Sequence, residues 1–111
     1  MFARFLKMTI EPEKKPQLLR TLKEEVLPIL HKYPSFCELI PLEVETDHTK
    51  FYAISLWYDK ADMEKYAKEH FPRAKAMIER YLAAPLIVRP CAVDESVARK
   101  LALAVAAELA Y

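Results

Sequence analysis

Glycine is missing from all 111 residues. Average usage of about 7% would supply several, and without them neither a Walker loop nor a dinucleotide-binding turn can be built, because both need a backbone that closely approaches phosphate. Asparagine is missing too, and Gln17 is the only glutamine, so amide side chains are not a recurring catalytic device. Excess charge is also lacking. Seventeen Lys plus Arg against sixteen Asp plus Glu give a formal net charge of +1, which offers no footprint for a phosphate backbone, and nucleic acid is not expected as a partner. No unbroken apolar run is long enough to cross a bilayer. The N-terminus carries Arg4 and Lys7 inside an alternating segment and lacks a signal peptide's apolar stretch and cleavage site. A cytoplasmic protein with no membrane partner is expected. The two cysteines, Cys37 and Cys91, lie outside any CxxC spacing, so two reduced, mostly buried thiols are expected rather than a disulfide or zinc site. Three histidines without HxxxH, HxH or HxxE spacing give no metal signal.

What is present is 53% hydrophobic and 30% charged, enough for one core in a single domain over 1–111. Phe2 to Ile10 alternates and reads as a first strand. From about Glu13 the period lengthens: Leu18, Leu22, Val26, Ile29, Leu30 and Tyr33 share a helical face. Pro16 fits that helix's first turn, Pro28 should kink it, and Pro34 stops it. Phe36 to Glu45 and Lys50 to Tyr58 form a hairpin around Thr46–Thr49, where Asp47 or His48 is the best candidate for any positive φ. Asp59 caps a helix with an apolar stripe through Met63, Tyr66, Ala67, His70 and Phe71, continuing past Pro72, where one bent helix and two consecutive helices fit equally well. Leu86 to Val93 is a fourth strand. Asp94 then caps a helix over about 95–110, whose apolar second half should cover its own domain or a partner's.

The order is βαββαβ plus a C-terminal helix, an α+β, ferredoxin-like arrangement with an antiparallel sheet of order 4-1-3-2. Pro41 and Pro90 then fall on the two edge strands, where a missing N–H is tolerated. One face of strand three carries Tyr52, Ile54, Leu56 and Tyr58, an apolar patch that predicts a homodimer.

The segments FARFLKMTIEPEKK, EEVLPIL and above all YAISLWYDKADMEKYAKEHF resemble the antibiotic biosynthesis monooxygenase family, over about 2–93. The most specific piece is a strand ending in Trp57, followed by a capped helix with Asp62, Tyr66 and His70. The resemblance implies a dimeric α+β barrel with a pocket between sheet and helices. It implies an activity among several: cofactor-free oxygenation of quinols or anthrones, haem degradation, or roles not determined by fold. The haem-degrading branch uses Asn, Trp and His, and this sequence has Trp57 and His70 but no asparagine.

His70 shares a face with Tyr66 and Phe71. It is either a general base acting on a phenolic substrate or a hydrogen-bonded core histidine. Trp57, Ser55, Ala53 and Phe51 share a strand face, which leaves room for a flat ligand or is ordinary packing. Tyr66 either bonds a ligand oxygen or a backbone group. Arg4 either stabilises an oxyanion or pairs with a carboxylate. His31 lies opposite the apolar stripe and should be solvated. The expectation is a cofactor-independent monooxygenase-like protein with His70 as catalytic group and Trp57, Tyr66, Phe71, Ser55 and Arg4 around a small aromatic ligand. The rival is a non-catalytic, small-ligand-binding or stress-related homodimer.

Overall fold

The structure is a computed structural model that describes residues 1–98 and 100. Four strands, β1 (Phe2–Thr9), β2 (Phe36–Glu43), β3 (Lys50–Trp57) and β4 (Ile87–Ala92), form one antiparallel sheet in the order β2-β3-β1-β4. This is the expected ferredoxin-like order read from its other end. Pro41 and Pro90 lie on the two edges, where the ladder loses nothing on the outer side.

Helices α1 (Lys15–Thr21) and α2 (Leu27–Leu30) follow β1, and α3 (Lys60–Glu69) and α4 (Phe71–Glu79) follow β3. All lie over one face of the sheet. Leu6, Met8, Phe51, Ala53 and Trp57 from the strands close the core against Leu18, Leu22, Val26, Leu30, Tyr66 and Ile78. The alternation along β1 therefore turns Arg4, Leu6 and Met8 toward the helices, since side chains two apart share a sheet face.

Proline shapes both helical layers. Pro28 has no N–H to offer the carbonyl four residues back, and its ring crowds that carbonyl. The chain responds upstream with a π turn over Leu22–Val26, in which the Leu27 N–H reaches the Leu22 carbonyl, before α2 resumes. The expected kink thus takes the form of a register change. Pro72 occupies the first turn of α4, and His70 ends α3 and begins α4, so two helices are realised rather than one bent one.

Several expectations are corrected. The β2–β3 turn needs no positive φ, and the described residues contain none. Instead Asp47 Oδ1 accepts from the Thr49 N–H (3.0 Å) and hydroxyl (2.6 Å), an Asx turn in ordinary backbone space. The thiols are not mostly buried: Cys91 is exposed and Cys37 half-buried, because both sit on edge strands. Neither is disulfide-bonded. Leu56 is buried within the chain, and Tyr58 lies beyond the strand, 53% exposed. At the C-terminus the Asp94 carbonyl accepts the Ala98 N–H at 3.0 Å, and Asp94 Oδ1 accepts that of Ser96 at 3.0 Å. The rest of the helix expected over about 95–110, Lys100 apart, lies outside the described residues.

Candidate functional site

The end of β3 builds an aromatic cluster. Trp57 is fully buried, and its indole N–H donates to Ser55 Oγ at 2.9 Å. The two residues share a face because they are two apart on one strand. Tyr66, Phe36 and Tyr33 surround the indole at centroid distances of 5.4, 5.4 and 5.8 Å, within the range of favourable ring pairs. The loop after α2 is tied to α3, since Asp62 Oδ2 accepts both the Ser35 hydroxyl (2.7 Å) and the Ser35 N–H (3.2 Å). That tie brings Tyr33 over Tyr66, with ring centroids 5.7 Å apart.

His70, half-buried at the α3–α4 junction, pairs through Nδ1 with the Tyr33 hydroxyl at 2.5 Å. Burial pushes the Tyr33 phenol up from its ordinary value, and the negative charges of Glu69 and Asp62 add to the shift. Tyr33 therefore keeps its proton, and the direction of the bond follows the tautomer: the phenol donates to an unprotonated Nδ1 and accepts from an Nδ1–H. Sequence reasoning read Tyr33 only as the last residue of an apolar stripe. Its partner is set by how the loop before Pro34 docks on α3, which no local pattern encodes.

Arg4 has a different environment. It is 6% exposed and paired in register with Ser55 on one side and Pro90 on the other. Its guanidinium carbon lies 4.0 Å from the centroid of the Phe71 ring and 5.5 Å from that of Tyr66. Among the described residues it has no ion pair and no hydrogen bond. Cation–π contact with these two rings compensates it within the protein, and because no buried side-chain nitrogen or oxygen among the described residues lacks a partner, its unpaired nitrogens reach solvent. Desolvation lowers its pKa from the ordinary value, and its proximity to Tyr66 works the other way. Tyr66, in turn, is pushed up to about 12 by burial, against the pull of Arg4. Its hydroxyl also makes no hydrogen bond among the described residues.

Arg4 stands between two spaces. Inward, it shares with Ser55, Tyr66 and Phe71 a cavity of about 10 Å³ between sheet and helices. That holds one water at most. Outward, Arg4 closes the inner end of a groove of about 450 Å³ between the β1–β4 edge and α3, walled by Phe2, Met63, Ala67, Val88 and Pro90, with Lys60, Glu64 and Cys91 also lining it. Lys60 and Glu64 pair with each other at 3.8 Å. The groove has the volume of a small-molecule site.

The structure thus gathers Arg4, Ser55, Tyr66 and Phe71 around one cavity. Trp57 lies behind them with no open surface, and His70 lines neither space. His31 is exposed, its ring edge-on to Phe36. The β4 wall of the groove was not singled out from sequence, although the expected pairing of β1 with the Pro90 strand would have placed it beside Arg4. Among the described residues no three His, Cys, Asp or Glu side chains are grouped to hold a metal ion, and no helix is long and apolar enough to cross a membrane.

No protein-family model and no curated protein matches the sequence. Solved structures match throughout the fold. A crystal structure of an antibiotic biosynthesis monooxygenase is 22% identical with a TM-score of 0.64, covering 84% of this chain and 98% of its own. The monooxygenase from the gene ActVA-Orf6 of Streptomyces coelicolor, in complex with nanaomycin D, is 13% identical with a TM-score of 0.70, covering 83% and 86%. SnoaB from Streptomyces nogalater, a cofactor-independent oxygenase, is 11% identical with a TM-score of 0.67, covering 86% and 95%. At these identities the likeness is one of architecture: this chain has the fold of the antibiotic biosynthesis monooxygenases.

Proposed function

We propose that this protein is a cofactor-independent, monooxygenase-like protein acting on a small aromatic molecule of the quinol or anthrone kind. The observation that carries the reading is Arg4, a buried cation with no carboxylate among the described residues, seated between a ring-lined cavity and an apolar groove. The guanidinium is largely desolvated yet its unpaired nitrogens reach solvent, so a ligand that brings negative charge gains a charge-assisted pair there. The ring of the ligand lies in the groove against Phe2, Met63 and Val88. Tyr66 lines the inner cavity rather than the groove, and its ring holds the guanidinium of Arg4 at the groove's wall. The surrounding apolar walls exclude water.

For an anthrone-like methylene the chemistry balances without a reductant. The carbon acid loses a proton to hydroxide or buffer base at the open mouth of the groove, the carbanion adds dioxygen to give a peroxide anion, and this regains a proton from solvent before the hydroperoxide loses water to leave a ketone. One oxygen atom is retained and the other leaves as water, with all the electrons supplied by the substrate. The nearby positive charge of Arg4 favours the anionic stage. His70 and its partner Tyr33 line neither space, so they act only by holding Tyr33 against Tyr66, whose ring packs on Arg4, which makes both positioning residues.

Oxygen uptake by metal-stripped protein over hydroquinones, naphthohydroquinones and anthrones tests this reading. Saturable uptake above autoxidation is expected, falling at least about tenfold in Arg4→Met. His70→Ala and Tyr33→Phe should alter the pH profile of the rate alike, with the double variant no worse than either. Uptake indistinguishable from autoxidation across the panel sinks the oxygenase reading.

A second reading, a small-ligand-binding homodimer without catalysis, is favoured by the water-sized inner cavity and by the closure of Ser55, Trp57, Tyr33 and His70 into internal pairs. Both readings include a homodimer. The sheet face opposite the helices carries Leu42 (39% exposed) and Ile87 (41% exposed), with half-buried Phe5, Tyr52 and Ile54 between them. No described helix covers it. Sedimentation should give a dimer that Ile54→Lys weakens; a monomer at every concentration overturns this assembly.

A further inference from the structure

We propose that the groove between β4 and α3 selects an aromatic ligand bearing a carboxylate, with the ring in the groove and the acid group turned inward onto Arg4. This rests on the reading that a small aromatic molecule occupies the groove, and it names the group that Arg4 reads.

The argument is one of charge and size. A guanidinium is charged at any physiological pH, so its partner must also be charged there. A phenol, ionising near 10, is neutral at pH 7, whereas a carboxylate is fully ionised. The planar fork of Arg4 also matches a carboxylate with two parallel bonds, which a single phenolic oxygen cannot accept together. Among the described residues the partner's place is not taken. The one carboxylate that they bring to the groove, Glu64, pairs with Lys60 within α3 and makes no ion pair with Arg4. Size fixes the orientation. The inner cavity of about 10 Å³ cannot take a ring, while the groove of about 450 Å³ can. The apolar body therefore stays outside, and only the acid group reaches the Arg4 end.

Calorimetric titration with 2-naphthoate and its uncharged isostere 2-naphthamide tests the inference. The wild-type protein should bind naphthoate at least about tenfold more tightly than naphthamide, the range of a charge-assisted pair. Arg4→Met should abolish that preference. Ala67→Phe, which fills the groove and leaves Arg4 intact, should weaken both ligands. In the unaltered protein, naphthoate and not naphthamide should shift the Arg4 Nε–H resonance, a readout that needs no variant to fold. Equal affinity for acid and amide overturns the carboxylate inference but leaves an aromatic ligand in the groove. Absence of binding by either overturns both. A preference that survives Arg4→Met and vanishes in Lys60→Met moves recognition to the rim and overturns Arg4 as its reader.

Discussion

Two ends of the same aromatic layer differ in how their polar atoms are satisfied. At the Trp57 end the indole N–H has Ser55 and the Tyr33 hydroxyl has His70. At the Arg4 end a guanidinium and the Tyr66 hydroxyl have no hydrogen-bond partner among the described residues. Tyr66 belongs to both ends, its ring 5.4 Å from Trp57 and its face 5.5 Å from Arg4. Internally paired polar groups fix a unique core, whereas those without a protein partner here reach solvent and stay open to a further partner. The first end is closed on itself, and the second leaves its polar groups without protein partners.

The largest effect that separates the ends is expected from Trp57→Ala. Removing the largest fully buried side chain should cost about 3–5 kcal/mol, read as a lower midpoint in urea unfolding. Ser55→Ala comes next. It leaves the volume almost unchanged but strands a buried N–H, and should cost about 1–3 kcal/mol. A Ser55→Ala protein as stable as the wild type shows that Trp57 finds another acceptor, and the paired end then loses its distinction.

Most of the architecture was legible because strands and helices write their periods along the chain. Alternation from Phe2 turned to helical spacing near Glu13, and Pro41 and Pro90 marked the edges before any pairing was seen. Contacts between elements were less legible. Leu56 shares its strand face with Tyr52 and Ile54 by pattern, yet it alone of the three is buried, a difference that alternation along one strand does not encode. Pro28 announced a disturbed helix but not a π turn on its N-terminal side. For the candidate site, Arg4, Ser55, Tyr66 and Phe71 were all named from sequence and do converge on one cavity. His70 was also named, but its tie to Tyr33 spans 37 positions and arises from the docking of a loop on α3.

The finest discrimination between the two ends comes from removing one oxygen atom at each. Tyr33→Phe breaks the bond to His70 and should cost about 1 kcal/mol, the net worth of an ordinary side-chain hydrogen bond. Tyr66→Phe removes a hydroxyl with no internal partner and should leave stability near neutrality within about 0.5 kcal/mol. The two part again in alkali. Tyr66 has a folded pKa raised to about 12 from 10.0. Its contribution is therefore fully present below 10.0 and is lost as pH rises toward 12, because the unfolded chain releases the proton first. Stability measured by urea unfolding should fall across that interval in the wild type, and less steeply in Tyr66→Phe. If both phenylalanine variants lose the same stability near neutrality, Tyr66 has an internal partner. The end without protein partners is then reduced to Arg4 alone, and the contrast between the two ends rests on a single guanidinium.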